Sequence, residues 1–122
     1  MKKITASTDF TTFSNHRAEP HFTFVKNGQK TIEGRLKKGE YANLKTGDHI
    51  VVQNDDETDS VEVIVKDVRP YPTLLEMLSR EKLNEILPDI KNIDQAMQAY
   101  RQFYTPEQEA EFGVIAIEIG RV

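Results

Sequence analysis

Residues 28–36 read GQKTIEGRL, with Lys30, Glu33 and Arg35 set around two glycines, Gly28 and Gly34. Ile32 and Leu36 alternate with Thr31, Glu33 and Arg35, the period of a strand with one apolar and one polar face. On that polar face Glu33 and Arg35 stand roughly 6 to 7 Å apart. Charges this dense on an alternating segment make either a solvated strand face or a binding site. Lys30 has the opposite parity, but it lies just past Gly28, where the backbone is not yet regular, so spacing does not fix its direction.

Upstream, Glu19-Pro20 followed by HFTFVKN and Gly28 predicts a short helix with proline in its first turn and glycine at its C-terminal cap. Downstream, LKKGEYANLKTGD is a glycine-punctuated loop that feeds HIVVQN, a strand of β-branched residues. VEVIVKDV alternates as its hairpin partner across the turn NDDETDS. That acidic turn lacks the glycine and the terminal glutamate of a calcium-binding EF-hand loop, and reads as a solvated turn.

From Pro70 the pattern turns helical. Thr73 and Glu76 form a capping box ahead of Leu74, Leu75 and Leu78, and REKLNEILP gives a short second piece. Asn92 and Gln95 start a third helix, with Ile93, Met97, Tyr100 and Tyr104 at helical spacing, and Thr105, Pro106 and Gln108 start another. After Gly113 the run VIAIEIG is apolar almost throughout, as in a central strand buried on both faces. Strands flanking a helical insertion imply the α+β class. The expected architecture is a small, bent β-barrel or sheet with a helical subdomain at its side, in one domain over residues 1–122.

With 122 residues, 38% hydrophobic and 30% charged, the chain has the size and composition of one compact globular domain. No apolar run approaches the roughly 18 to 20 residues of a membrane span, and no apolar stretch follows Lys2 and Lys3 as in a secretory leader. The expectation is a cytoplasmic protein with no membrane partner. The absence of cysteine excludes disulfides, thiol nucleophiles and thiolate metal sites. His16, His21 and His49 lack the spacing of metal ligands, and neither a metal nor a cofactor is expected.

The net charge of −4 is unevenly placed. Residues 1–50 hold nine Lys/Arg against five Asp/Glu, and residues 51–122 seven against fifteen, giving +4 and −8. Such a local positive field can serve an anionic ligand on an acidic protein, because screening confines it to about a Debye length.

GQKTIEGRL, then LKTGDHIVV, YPTLLEMLSREKLNEILP and AMQAYRQFYTPEQEAEFGVIAIEI together resemble the ASCH domain family over roughly residues 20–120. Its members carry a G-x-K-x-x-E-x-R element, a GD before the next strand, a helical pair and a closing GV-x-A-I-E strand. The resemblance implies a PUA-like β-barrel with helices at its side, and a cleft beside the G-x-K-x-x-E-x-R element that binds RNA or a related nucleotide. It makes Lys30, Glu33 and Arg35 the site candidates.

Some small relatives resemble amidohydrolases that deacetylate N4-acetylcytidine with the motif lysine, a threonine three residues later and a separate glutamate. Others look like ribonucleases. Here the position three after Lys30 is Glu33, while Thr31, of the same strand parity, offers a hydroxyl.

Arginine grips phosphate with two parallel hydrogen bonds, and a neighbouring glutamate holds that fork in place, roles that suit Arg35 and Glu33. In an enzyme, Lys30 would act as base or nucleophile and Glu33 or a later carboxylate as acid. The plainer alternative is a Glu33–Arg35 ion pair closing one side of the barrel. Tyr100 and Tyr104 form an i, i+4 stripe that serves either the core or base stacking, with Tyr71 and Phe103 as weaker stacking candidates. Tyr41, in a loop, is freer to stack. The ligand candidates are therefore Lys30, Thr31, Glu33, Arg35, Tyr41 and Tyr104, with RNA, a nucleotide or a modified nucleoside as partner. A protein-interaction domain using the 92–104 helix is a further alternative.

Overall fold

The computed structural model describes residues 10–122, so the start of the segment read for a secretory leader lies outside the described residues. Five strands form one sheet in the order β1-β3-β4-β5-β2: β1 Thr12–Arg17, β2 Ile32–Leu36, β3 His49–Asn54, β4 Ser60–Tyr71 and β5 Val114–Arg121. The helices are α1 His21–Lys26, α2 Leu74–Arg80, α3 Leu83–Ile86, α4 Ile93–Arg101 and α5 Pro106–Phe112. The class is α+β, and the barrel is a half-barrel. Its end strands β1 and β2 share no ladder, and a side-chain bridge from Arg17 to Glu33 joins the two ends.

β5 runs antiparallel to both β4 and β2. Its alternation splits the core. Ile115, Ile117 and Ile119 enter a cluster with Phe22, Val25, Ile50 and Val63, while Val114 and Ala116 join Leu74, Met77, Leu78 and Ile86 on the helical side. Both faces are covered, which is why VIAIEIG carries almost no polar residue.

The β3–β4 hairpin forms as expected, and its turn is organised by Asn54, whose Oδ1 accepts from the backbone N–H groups of Thr58 and Asp59 at 2.9 and 3.0 Å. β4 runs on to Tyr71, past Pro70, where a switch to helix is expected. A bulge between Val65 and Asp67 explains the extension. The extra residue shifts the side-chain parity, so that Val68 takes up the inner position held by Val61, Val63 and Val65 before it.

Caps set the helix starts. The Thr73, Asn92 and Thr105 side chains accept from the N–H groups of Glu76, Gln95 and Gln108. Only Thr105 and Gln108 complete the reciprocal capping box; Thr73 and Glu76 make half of it. α4 ends at Arg101, one turn short of Tyr104. Buried Glu109 fixes the segment beyond, accepting from Leu74 N–H at 2.7 Å and pairing with Arg101 at 2.6 Å. Arg101 in turn donates to the Tyr104 carbonyl.

β1 is the element missing from the sequence reading. Phe13, Asn15 and Arg17 alternate with the more exposed Thr12, Ser14 and His16, and the strand lies parallel to β3.

Candidate functional site

β2 positions the site. The Thr31 carbonyl accepts from Ile119 N–H at 2.9 Å and Lys37 N–H donates to the Gly113 carbonyl at 3.0 Å, which marks residues 31, 33, 35 and 37 as the hydrogen-bonded partners of β5. The backbone groups of Ile32 and Gly34 therefore face the free edge of the sheet, and the Ile32 carbonyl there accepts from Lys30 Nζ at 3.1 Å. Along this edge lies a cleft of about 430 Å³, lined by Arg17, His21, Lys30, Glu33, Gly34 and Arg35 on one side and by Leu87, Ala99, Tyr100, Phe103 and Tyr104 on the other.

Glu33 is the hub. Its Oε2 accepts from Arg17 Nε at 2.6 Å and from Arg17 Nη2, its Oε1 lies 3.3 Å from Lys30 Nζ, and Arg35 Nη2 is 3.8 Å away. Burial alone would favour the neutral acid, but Arg17, Lys30 and Arg35 outweigh it and hold the carboxyl far below the usual carboxylate range. The Glu33–Arg35 pair considered as the closure of the barrel is the loosest of these contacts; Arg17 makes the closure.

Lys30 is 3% exposed. Burial pushes its pKa down, Glu33 partly offsets this, and its Nζ donates to the carbonyls of Ile32 and Ile86 besides facing Glu33. Three acceptors match the three protons of an ammonium and leave no lone pair free. Arg17 is likewise engaged, with Nη1 on the His16 carbonyl at 3.3 Å.

Arg35 differs. Its Nε is buried without a hydrogen-bond partner among the described residues, and its guanidinium carbon sits 4.8 Å from the centre of the Tyr41 ring. The Tyr41 hydroxyl accepts from Asn15 Nδ2 of β1 at 3.0 Å, which steadies the ring. His21 Nδ1 is also buried without a partner, and burial, with Lys30 next, pushes the imidazole pKa down. Three cations against one carboxylate leave an excess of two positive charges in the cleft, and the unsatisfied donor capacity belongs to Arg35.

The opposite wall is aromatic. Tyr100 and Tyr104 stack with centroids 6.2 Å apart and planes at 19°, and they pack on the helical core while lining the cleft. Phe103, 73% exposed, stands at the rim. Burial pushes the Tyr100 hydroxyl pKa well up, so it is a neutral donor. Gly34 lets this wall approach. A β-carbon there would lie 2.5 Å from the Tyr100 hydroxyl oxygen and 2.8 Å from Met77 Cε. Gly34→Ala is expected to drive the Tyr100 ring toward the cleft and to cost about 1–3 kcal/mol of stability. Urea unfolding checks the loss, and an unchanged midpoint would show that the wall yields freely.

Of the residues singled out in the sequence as site or stacking candidates, Lys30, Glu33, Arg35, Tyr100, Phe103 and Tyr104 meet in this cleft. Thr31 does not line it: its hydroxyl donates to Glu85 Oε1 at 3.0 Å. Tyr41 lies behind Arg35 and lines a second cavity. The Tyr71 hydroxyl donates to Glu81. His16 and His49 pair at the surface with Glu57 and Glu62, each at 2.6 Å. Arg17 and His21 are the site residues that the sequence reading did not place in the cleft.

A family model described as the ASCH domain matches residues 16–122. Among solved structures, the crystal structure of the hypothetical protein PH0355 is 35% identical, with 91% of this chain and 99% of that chain covered and a TM-score of 0.82. The solution structure of protein PF0455 from Pyrococcus furiosus is 36% identical over 88% of this chain and 94% of that one, with a TM-score of 0.71. An ASCH domain from Lactobacillus crispatus JV V101 shares the fold at 13% identity, covering 97% of this chain and 84% of that one, with a TM-score of 0.62. The search of curated proteins found no match.

Proposed function

The chain belongs to the ASCH domain family, and on that premise we propose that its cleft beside β2 binds a nucleotide of single-stranded RNA. Arg35 holds the phosphate, and the base lies against the Tyr100–Tyr104 wall. The observation that carries this reading is the unbalanced charge at the sheet edge: Arg17, Lys30 and Arg35 share one carboxylate, and Arg35 keeps a buried donor unspent. A cleft of about 430 Å³ falls within the range that accommodates small organic ligands. Stacking on aromatic rings holds unpaired bases without demanding one sequence.

Binding is favoured over turnover by the state of the two groups an enzyme would use. Lys30 spends its protons on Ile32, Ile86 and Glu33, and Glu33 stays ionised among cations, which suits positioning better than proton transfer. Cytoplasmic residence fits an RNA ligand and belongs to the same proposal. Among the described residues no helix is long and apolar enough to cross a membrane.

The test is an anisotropy titration of a short labelled single-stranded RNA across a salt series, with the RNA run on a denaturing gel afterwards. The expected result is saturable binding that weakens as salt rises, with intact RNA. Salt-independent binding, no binding, or shortened RNA would each contradict the proposal.

A further inference from the structure

We propose that the second cavity, on the far side of the Arg35–Tyr41 pair, receives the neighbouring nucleotide of the same strand, so that the ligand is an RNA segment of at least two nucleotides. This rests on the reading of the first cleft given above. The cavity measures about 350 Å³ and is lined by Lys37, Tyr41, Ala42, Lys45 and Ile115 among others. It adjoins the first across one contact. Arg35 lines the cleft, its guanidinium lies on the Tyr41 ring, and Tyr41 lines the second cavity.

Strand geometry supplies the spacing. Lys37 follows Arg35 at the period that returns a side chain to the same face, roughly 6 to 7 Å further along. That step is comparable to the separation of phosphates in an extended single strand. Lys37 is exposed and makes no ion pair among the described residues. Lys45 adds charge at the opposite lip, although Asp48 holds it at 3.3 Å. The acidic group at the cavity, Asp67, pairs with Arg69 at 2.8 Å, but that guanidinium also serves Glu81 and Glu118, each at 2.8 Å, so Asp67 is only partly offset and Lys37 and Lys45 carry the positive side of the cavity. Partly buried Val68 and the Tyr41 ring give a base a surface to rest on, while Lys37 meets the bridging phosphate.

The experiment compares a labelled random-sequence RNA hexamer with the four ribonucleoside 5′-monophosphates as competitors, on the wild type, Lys37→Glu and Ala42→Glu. Lys37→Glu is expected to weaken hexamer binding by about tenfold, and Ala42→Glu, which places a carboxylate in the cavity, to weaken it in the same direction. Mononucleotide competition should stay within about twofold of wild type, since neither residue lines the first cleft. In Lys37→Ala the slope of log affinity against log salt should shrink by about 0.7, the loss of one phosphate contact on a single strand.

Hexamer binding no tighter than mononucleotide binding, or equal hexamer affinity in all three proteins, would overturn the second subsite while leaving the first intact. Failure of the wild type to bind either probe would overturn both.

Discussion

Glu33→Ala is expected to lower the stability of the folded chain by about 3–5 kcal/mol, read as a fall in the urea midpoint. The carboxylate is 5% exposed and is the shared partner of Arg17, Lys30 and Arg35. Its removal leaves three cations facing one another where water does not screen them. It also releases the bridge between β1 and β2, the two ends of the half-barrel. Against a total stability of about 5–15 kcal/mol for a domain of this kind, the loss is a large fraction.

Two further readings separate this cause from simple cavity formation. Adding Lys30→Met to Glu33→Ala should recover part of the loss by removing one buried charge, and inorganic phosphate should stabilise Glu33→Ala more than it stabilises wild type. The pH dependence has a fixed sign. Because the folded carboxyl titrates far below its ordinary value of 4.5, its contribution is fully present above the usual carboxylate range and fades only as pH falls below it. The stability gap between wild type and Glu33→Gln should therefore hold constant from about pH 8 to pH 5 and narrow in stronger acid. A midpoint shift below about 1 kcal/mol would mean that the cluster is not a buried network at all.

The second large effect concerns affinity. Arg35→Ala should weaken single-stranded RNA binding by about 10- to 100-fold, the value of a charge-assisted hydrogen-bond pair. Stability should change little, because Arg35 lies 3.8 Å from Glu33, leaves its Nε unpaired and contributes mainly the contact with Tyr41, worth about 0.5–1 kcal/mol. Arg35→Lys should recover only part of the binding, since an ammonium lacks the planar fork. Circular dichroism and the urea midpoint of the same samples distinguish lost contacts from lost fold. Wild-type affinity in Arg35→Ala would remove Arg35 from the interface.

Much of this architecture is legible in the chain because local signals agree with the global fold. The β3–β4 hairpin, the cap residues Thr73, Asn92 and Thr105, and the doubly buried β5 follow from alternation, capping chemistry and apolar continuity. β1 escaped because TFSNHR carries only partly buried residues on its inner side and pairs with β3 through a parallel, non-local contact. Its Phe13, Asn15, Arg17 alternation was the available signal.

Missing that strand also hid Arg17, the strongest partner of Glu33, since a contact across 16 positions between opposite sheet edges leaves no local trace. Lys30 shows the reverse limit. Its strand parity points away from Glu33, yet it precedes β2, and its long side chain reaches Glu33, Ile32 and Ile86 together. Tyr41 was legible as a loop aromatic, but only the folded chain places it behind Arg35.

The most direct test of the central claim is a two-dimensional ¹H–¹⁵N NMR titration of the protein with a short single-stranded RNA, recorded so that arginine Nε resonances are observed with the amides. The account predicts that the largest shifts fall on the Gly34 amide, the Arg35 amide and Nε, His21, and the 99–104 segment, while the outer hairpin turn around Asn54–Ser60 stays unmoved. Shifts centred on that turn or on the outer faces of α2 and α5, with Arg35 Nε unchanged, would contradict it.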